Sequence, residues 1–366
     1  MYEIELNNVP VKIWAKGVDP HAMKEIVNLS TLPFVFHHLA FMPDVHGGKG
    51  MPIGGVLATR GVVIPNAVGV DIGCGMCAVK TSLRVEDIPS DVLRKQILRG
   101  IRKQIPLGFD HHKTAQDEAF MPQGFDIDKL AVVKRQYISA TKQVGTLGGG
   151  NHFLELQKDT EGQLWIMIHS GSRNLGAHVG MYYNDKAKML NRRWFSSVNP
   201  DIDMAFLPMQ SDMAHAYWDE MNYCVEFALC NRRLMMQRIC QVIGDVYPDT
   251  QFEPMINIAH NYACWENHFD ESVIVHRKGG HAGQPRRDRH HPRFSGYQVL
   301  HRGRPRQSRF LPVLFSRRGA SDVSHGSSPE PIPDGRGCKT RSAGHRPCHS
   351  RTKGLGGGRQ RLQEHL

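Results

Sequence analysis

Residues 64–76 read IPNAVGVDIGCGM, a glycine-rich turn that carries Asp71 and Cys74 three positions apart. A carboxylate and a thiolate this close form a mixed hard and soft ligand pair for a transition metal such as Mn²⁺ or Zn²⁺. The three glycines of the turn permit tight or positive-φ backbone, so both side chains can face one ion. The alternative is a solvated Asp and a buried Cys beside a strand. Spacing alone does not choose between these two interpretations.

Four further stretches combine a metal-type ligand with glycine or small polar residues. A lone His at a strand end is more often structural than a metal ligand. The three His of these stretches, together with Asp71 and Cys74, would nevertheless suit a site for two metal ions bridged by the thiolate. Two close ions indicate phosphoryl chemistry, and the glycine loops at 47–50 and 148–150 offer backbone N–H groups to a phosphate. Neither loop has the Walker pattern, so a P-loop ATPase is not predicted. The four stretches are MPDVHGGKG (42–50, with Lys49), GTLGGGNHFLE (145–155), IMIHSGSRN (166–174, with Arg173) and INIAHNYA (256–263).

The local patterns indicate a mixed α/β protein up to about residue 278. Short β-branched runs predict strands, and apolar residues at helical spacing predict helices. The Met, Phe and Leu residues of the longest helical pattern are expected in the core. Predicted strands are 61–64, 76–81, 164–168 and 272–276, predicted helices are 21–31, 91–105, 127–143 and 211–246, and residues 107–125 are a predicted loop.

Charge and composition set the last quarter of the chain apart. The 366 residues carry a formal net charge of +11. Residues 279–366 hold 18 Lys and Arg against 5 Asp and Glu, a net +13, whereas residues 1–278 have a net charge of −2. The last segment is rich in Arg, Gly, Pro, Ser and His and has no periodicity, which is typical of a disordered basic tail. We therefore predict a domain at 1–278 and a disordered or misfolded tail at 279–366.

The chain is expected to be cytoplasmic. It contains no apolar run of 18 residues, and MYEIELNNVPVKIW at the start lacks the pattern of a secretory signal peptide. Eight cysteines at irregular spacings indicate reduced thiols. No membrane partner is predicted.

In this order, MPDVHGGKG, VGVDIGCGM, GTLGGGNHF, HSGSR and HNY resemble the motifs of the RtcB family of RNA-splicing ligases. The resemblance implies one large mixed α/β domain with a central cleft for metal and nucleotide. It also implies a GTP- and Mn²⁺-dependent enzyme of tRNA splicing or RNA repair. Such an enzyme joins an RNA 3′-phosphate or 2′,3′-cyclic phosphate to a 5′-hydroxyl: a His is guanylylated, GMP passes to the RNA 3′-phosphate, and the 5′-hydroxyl displaces it.

The resemblance also assigns roles to individual residues. It implies RNA as a partner, with an activating protein as a possible second one. Two Mn²⁺ ions would be held by Asp71, Cys74, His152, His169 and His260. The guanylate pocket would include Asn151, His152, Phe153, Leu154, Glu155, His260 and Asn261, and phosphate or RNA contacts would come from Lys49 and Arg173.

Two motifs of the family's second half are missing from the sequence: a PGS segment that helps bind guanylate, and CSHGAGR, which contains the guanylylated His. Residues 288–303 can nevertheless be back-translated so that reading one nucleotide later gives IGIIPGSQGTKSYIV. The same offset lets residues 313–324 encode CSHGAGRVMS, with the His codon straddling Ser316 and Arg317. Our hypothesis is one extra nucleotide near the codons for residues 279–280. The chain as written would then be inactive in ligation, because the nucleophile is absent. It would also be poorly stable, because the loss of the C-terminal part of the core leaves apolar surface of residues 1–278 uncovered.

Two other functions stay open. A metal-dependent RNA phosphatase or cyclic phosphodiesterase would use the ions without guanylylation. A non-catalytic RNA-binding protein would act through the basic tail, with affinity that falls steeply as salt rises.

Overall fold

A computed structural model of the chain describes residues 1–280. Within that range the chain forms twelve β-strands and seven α-helices. The strands are β1 (Tyr2–Leu6), β2 (Val9–Ile13), β3 (Val35–Lys49), β4 (Met51–Thr59), β5 (Val62–Val63), β6 (Gly75–Arg84), β7 (Phe153–Lys158), β8 (Gln163–Ser170), β9 (Leu207–Pro208), β10 (Ile256–Ala259), β11 (Asn261–His268) and β12 (Glu271–Lys278). The helices are α1 (Pro20–Ser30), α2 (Pro65–Val68), α3 (Ser90–Val92), α4 (Arg99–Gln104), α5 (Ala131–Gln143), α6 (Arg173–Arg193) and α7 (Asp212–Val246), with a π-helical segment Leu93–Leu98 joining α3 to α4.

The strands build two main sheets and a short ribbon. The larger sheet has the order β1-β2-β3-β4-β12-β11, the smaller has the order β10-β6-β8-β7, and β5 pairs with β9. Strands β2 and β3 run parallel, and the other pairs described are antiparallel. Helices and predominantly antiparallel sheets in one chain confirm the predicted mixed α/β class.

Helix α7 belongs to two hydrophobic cores. Its first two-thirds, from Ala214 to Leu234, pack with α5 and α6. From Met235 to Ile243 it packs with the sheet of β6, β7 and β8. Buried Met, Phe and Leu side chains on this helix confirm that its apolar residues form core. At 1.5 Å per residue its 35 residues extend about 50 Å, which is long enough to serve both cores.

A buried carboxylate from α7 caps the start of α5. The residue before α5, Leu130, offers no capping side chain. Glu220 accepts hydrogen bonds instead from the backbone N–H groups of Val132 (3.0 Å) and Val133 (2.8 Å), and also from the Tyr183 hydroxyl (2.8 Å). A carboxylate at a helix N-terminus is favoured by the helix dipole and by the unpaired N–H groups there. Three helices are therefore tied together at one buried point.

The four predicted strands and four predicted helices are present, with ends that move by a few residues. The sequence did not predict α6, because Gly176 and Gly180 interrupt its pattern. A Cβ at position 180 would lie 3.0 Å from the carbonyl oxygen of Gly69. The glycine that weakens the helical pattern is thus what lets α6 pack closely against the 64–76 turn.

The predicted tail at 279–366, with its alternative role in RNA binding, lies outside the described residues apart from its first two positions. Six cysteines in the described part are free thiols. No helix formed by residues 1–280 is both long and apolar enough to cross a bilayer.

Candidate metal centre

The Asp71–Cys74 turn lies between α2 and β6 and is held from several sides. The Cys74 N–H donates to the Asp71 carbonyl oxygen (3.1 Å), which closes the turn. Gly73 has a φ of +75°, and a Cβ there would come within 2.8 Å of the Val225 Cα on α7. Only glycine satisfies both the left-handed backbone and the close helix contact. The turn is consequently fixed against α7.

Sheet register brings the three histidines to this turn. His169 lies one residue before the end of β8, opposite Met76 of β6 on one side and Phe153 of β7 on the other. His152 immediately precedes β7, and His260 is the residue between β10 and β11. Because β10, β6, β8 and β7 are neighbours in that order, residues distant in sequence meet at one end of the sheet.

All five predicted metal ligands meet at this point. The Cys74 Sγ lies 3.2 Å from the His169 Nε2 and 3.5 Å from the His152 Nε2. His152 Nε2 is 3.0 Å from the Asp71 Oδ2, and His169 Nε2 is 3.3 Å from the His260 Nε2. The ligand atoms form two groups, each with members within 4.8 Å of one another: Asp71, Cys74 and His152, and Cys74, His169 and His260. Cys74 belongs to both groups.

Burial keeps two of the imidazoles neutral. Burial and the neighbouring His152 lower the pKa of His169 to about 4, and burial and His169 lower the pKa of His260 to about 3. The His169 Nδ1 is 3.0 Å from the carbonyl oxygen of Asn151 and donates to it. Its Nε2 therefore presents a lone pair toward Cys74 and His260, which is the form of histidine that binds metals.

The pKa values of Asp71 and Cys74 are shifted in opposite directions. Burial raises the pKa of Asp71, but the hydrogen bond and charge of His152 outweigh it and bring that pKa to about 2. Burial and the Asp71 carboxylate raise the pKa of the Cys74 thiol well above its usual value. The donor set of one carboxylate, one thiol and three imidazoles fits borderline divalent ions, and binding an ion would release the Cys74 proton.

Asn261 holds the turn from the opposite side. Its side-chain N–H donates to the Asp71 carbonyl oxygen (3.0 Å), and its backbone oxygen accepts from the Gly73 N–H (2.8 Å). The Asn261 Oδ1 accepts from the Gly279 N–H (2.8 Å). The amide predicted to contact guanylate is thus already bonded within the protein, in a position that orients Asp71.

Sequence reasoning missed Arg232, which lies directly behind the ligands. The side chain on α7 is fully buried. Its Nη1 donates both to the Gly73 carbonyl oxygen (2.9 Å) and to the Ser170 carbonyl oxygen (2.7 Å), and its Nε donates to the Asn257 Oδ1 (2.7 Å). These partners lie on the segments that carry Cys74, His169 and His260. The available signal was the pair Arg232 and Arg233 beside the apolar residues of this helical stretch, because arginine is rarely buried without a partner.

The predicted guanylate residues line the start of β7. Asn151 is exposed, and the ring of Phe153 packs 5.4 Å from that of His169, centroid to centroid. Glu155 accepts a hydrogen bond from Gln157 (2.8 Å). Leu154 is buried in the core on the other face of the strand, so its side chain points away from these neighbours. A contact between guanylate and Leu154 could involve its backbone alone.

The two predicted phosphate contacts differ in their surroundings. Arg173 begins α6 at a φ of +58°, and its guanidinium donates to the Thr146 hydroxyl and the Gly108 carbonyl oxygen (both 2.8 Å). Lys49 is exposed at the end of β3, and no hydrogen bond or ion pair described for residues 1–280 ties its ammonium to the ligand cluster. The structure brings Arg173, but not Lys49, against the loop that contains His152.

In one of the two predicted phosphate loops, residues 47–50, two backbone N–H groups are already hydrogen-bonded to carboxylates of the protein. The Gly47 N–H donates to the Asp19 carboxylate (3.0 Å), and the Gly48 N–H donates to the Glu25 carboxylate (2.8 Å). The prediction that these amides face a phosphate is wrong, because side chains around α1 take them instead.

Comparison with known proteins places this geometry in context. The family described as "tRNA-splicing ligase RtcB" matches residues 25–311, a range that extends past the end of β12. The RNA-splicing ligase RtcB of Escherichia coli strain K12 is 36% identical over 294 residues, covering 74% of this chain and 71% of the relative.

More distant relatives carry similar names. The tRNA-splicing ligase RtcB of Thermococcus kodakarensis is 28% identical over 347 residues, covering 76% of this chain and 71% of that protein. The RNA-splicing ligase RtcB homolog 1 of Entamoeba dispar is 34% identical over 316 residues, covering 71% of this chain and 58% of that protein. The chain is similar to bacterial, archaeal and eukaryotic proteins with one kind of name.

Proposed function

The chain belongs to the RtcB family of RNA-splicing ligases, and we propose that its site is built to join RNA 3′-phosphate or 2′,3′-cyclic phosphate ends to 5′-hydroxyl ends with GTP and Mn²⁺. The observation that carries this proposal is the shared thiol: Cys74 lies in two ligand groups at once. A single bridging ligand between two ion positions suits chemistry at a phosphate, where two ions stabilise both the attacking and the leaving oxygen.

The proposed metal ligands are Asp71, Cys74, His152, His169 and His260. Bound ions would withdraw charge from phosphate oxygens and keep Cys74 as a thiolate. The neutral imidazoles of His169 and His260 offer lone pairs without first losing a proton. The chemistry of these donors is compatible with Mn²⁺, and the choice of Mn²⁺ over Zn²⁺ follows the family resemblance.

The protein's own groups would hold the RNA and guanylate. Asn151, Phe153 and Glu155 lie together at the start of β7, beside His169, and we propose them as the guanylate-facing edge of the cleft. Arg173 adds positive charge there, and two of its donors are already bonded to the protein. Its remaining N–H groups could bind one phosphate oxygen. Lys49 stays a proposed RNA contact.

We propose that this polypeptide, as written, does not complete ligation. Ligation by the family's route needs a His nucleophile to accept GMP, and the CSHGAGR motif that would supply it is absent from the sequence. Incubation with Mn²⁺ and GTP labelled on the α-phosphate should therefore give no covalent protein–GMP adduct. A labelled protein band that survives denaturation would contradict this.

A second experiment, on a gene with the reading frame repaired, tests the ligase assignment itself. Deleting one nucleotide near codons 279–280 should restore the missing motif, and the repaired protein should form the adduct and join RNA ends. A repaired Cys74→Ala variant serves as the control and should do neither. A repaired protein that binds GTP and Mn²⁺ without joining RNA would overturn the proposed activity.

One observation favours a second function for the chain as written. The five proposed metal ligands lie close together within residues 1–280, although the His nucleophile is absent from the sequence. Such a centre could still hydrolyse an RNA 2′,3′-cyclic phosphate without GTP. Turnover by the wild type that is lost in His169→Ala would favour this activity, and no turnover would exclude it.

A further inference from the structure

Phe109 is a fully exposed aromatic side chain in the loop between α4 and α5. Leaving a phenyl ring in water forgoes the free energy that burial would return, about 1.5–3 kcal/mol for such a side chain. Single exposed apolar residues are common, so exposure alone identifies nothing. The position and support of this ring are what distinguish it.

The turn that carries Phe109 is tightly anchored. The Asp110 N–H donates to the Leu107 carbonyl oxygen (3.2 Å), which closes a four-residue turn with Gly108 at a φ of +67°. On the far side, the His112 N–H donates to the Lys142 carbonyl oxygen (3.0 Å). The loop is therefore held on both sides of the exposed ring. A ring presented on a fixed turn loses little conformational freedom when something stacks on it.

The same turn lies against the candidate metal centre. The Gly108 N–H donates to the Gly148 carbonyl oxygen (3.0 Å), and the Gly108 carbonyl oxygen accepts from Arg173 (2.8 Å). A Cβ at Gly148 would lie 2.5 Å from the His152 Nδ1, so Gly148 is in direct contact with a proposed ligand. Phe109 is thus the residue next to the contact between the loop and the site.

The segment around Phe109 is basic. Residues 99–113 contain four Lys and Arg side chains and one Asp, together with His111 and His112. Single-stranded nucleic acids are held by positive charge along the backbone and by aromatic rings on which bases stack. A protein partner would need a broad apolar surface around the ring, whereas the exposed apolar neighbour within this turn is Leu107, and residues 110–113 are charged or imidazole groups.

We infer that Phe109 is a stacking platform for an unpaired base of the RNA, close to the end that enters the metal centre. This inference rests on the proposed function of that centre. It assigns the 107–112 loop to RNA binding, with the ring taking one base and the flanking cations taking phosphates. Stacking of this kind tolerates any base.

Binding of the full chain to a fluorescein-labelled, single-stranded 12-nucleotide RNA with a 3′-phosphate tests this. Phe109→Ala should weaken binding about 5- to 100-fold, the range seen when a stacking aromatic is removed, whereas Phe109→Trp should keep the affinity within about twofold. The control is Phe195→Ala. That ring is 93% exposed but lies beyond the far end of α6, about 30 Å along the helix from Arg173, and its removal should have no effect.

A second readout locates the contact. RNA carrying 5-iodouridine at its last nucleotides, irradiated in the complex, should cross-link to the peptide that contains Phe109. Unchanged affinity in Phe109→Ala, or cross-links confined to other peptides, would overturn the inference while leaving the ligase assignment intact. A wild-type chain that does not bind the RNA at all would overturn both.

Discussion

Arg232 places a positive charge where burial would normally exclude one. Removing a guanidinium from water is costly unless hydrogen bonds and nearby negative charge compensate. Three of its hydrogen bonds go to Gly73, Ser170 and Asn257, and burial lowers its pKa despite the nearby Cys77, Cys74 and Asp71 groups. Only a planar group with several fixed donors could bind these three acceptors at once. We interpret Arg232 as a positioning residue that sets the spacing between the ligand-bearing strands.

Replacing Arg232 with Lys should weaken metal binding more than it weakens the fold. An ammonium keeps the charge but cannot span the same acceptors, so the strands should lose their relative positions. Loss of an outer group that orients metal ligands typically costs about 10- to 100-fold in affinity. Titration with Co²⁺, followed by the thiolate charge-transfer absorption, measures this.

Arg233→Lys is the matched control for that measurement. It is the next residue on α7, is exposed, and makes one long contact, 4.0 Å to the Cys230 Sγ. Thermal unfolding of both variants separates a folding defect from a ligand defect. If Arg232→Lys loses stability but binds Co²⁺ as the wild type does, the residue serves the fold alone.

At the scale of elements, β12 joins the larger sheet to the start of the 64–76 turn. Its His276 is fully buried between β4 and residue 64. The His276 Nδ1 donates to the Leu57 carbonyl oxygen (3.2 Å), and its Nε2 accepts from the Ile64 N–H (2.9 Å). Both ring nitrogens are satisfied in the neutral form only, because a proton on Nε2 would face the Ile64 N–H.

Protonation of His276 should therefore oppose folding at low pH. Burial lowers its pKa to about 4 from the usual 6.5. Between these values the unfolded chain binds a proton that the folded chain does not, so the free energy of unfolding falls as the pH falls from 6.5 to 4. The full effect is about 3 kcal/mol. In His276→Gln this contribution should vanish.

Urea unfolding at pH 7.5, 5 and 4 tests the His276 prediction. The wild type should be more stable than His276→Gln at pH 7.5, and the difference should shrink as the pH falls. His215→Gln, at an exposed position on α7, is the control and should follow the wild type. A difference that stays constant with pH would show that His276 does not titrate as described.

At the scale of the molecule, the sequence predicted what depends on local pattern. The strands 76–81 and 164–168 were recognisable because β-branched residues cluster there. The RtcB resemblance, which the family comparison confirms, was recognisable because each motif is a short, contiguous run of residues. The role of Arg232 was not predictable, since its partner Gly73 lies 159 positions away. The occupation of the Gly47 and Gly48 amides by Asp19 and Glu25 likewise depends on how α1 packs.

The frame hypothesis is a prediction about the gene. Sequencing across codons 270–330 should reveal one nucleotide more than a continuous RtcB-like frame requires, near codons 279–280. The motif-bearing offsets at 288–303 and 313–324 would then fall into one frame with residues 1–278. Nucleotides between codons 280 and 324 that do not encode both missing motifs in one alternative frame would rule the hypothesis out.

The passage from β10 to β11 has a mechanical consequence. β10 ends at Ala259 in the smaller sheet and β11 begins at Asn261 in the larger one, so His260 alone connects them. With its N–H bonded to the Cys74 carbonyl oxygen and its carbonyl oxygen accepting from the Gly279 N–H, this link has no slack. Movement of one sheet relative to the other would therefore displace the His260 imidazole. An ion bound by this imidazole and by ligands of the smaller sheet would restrict that movement.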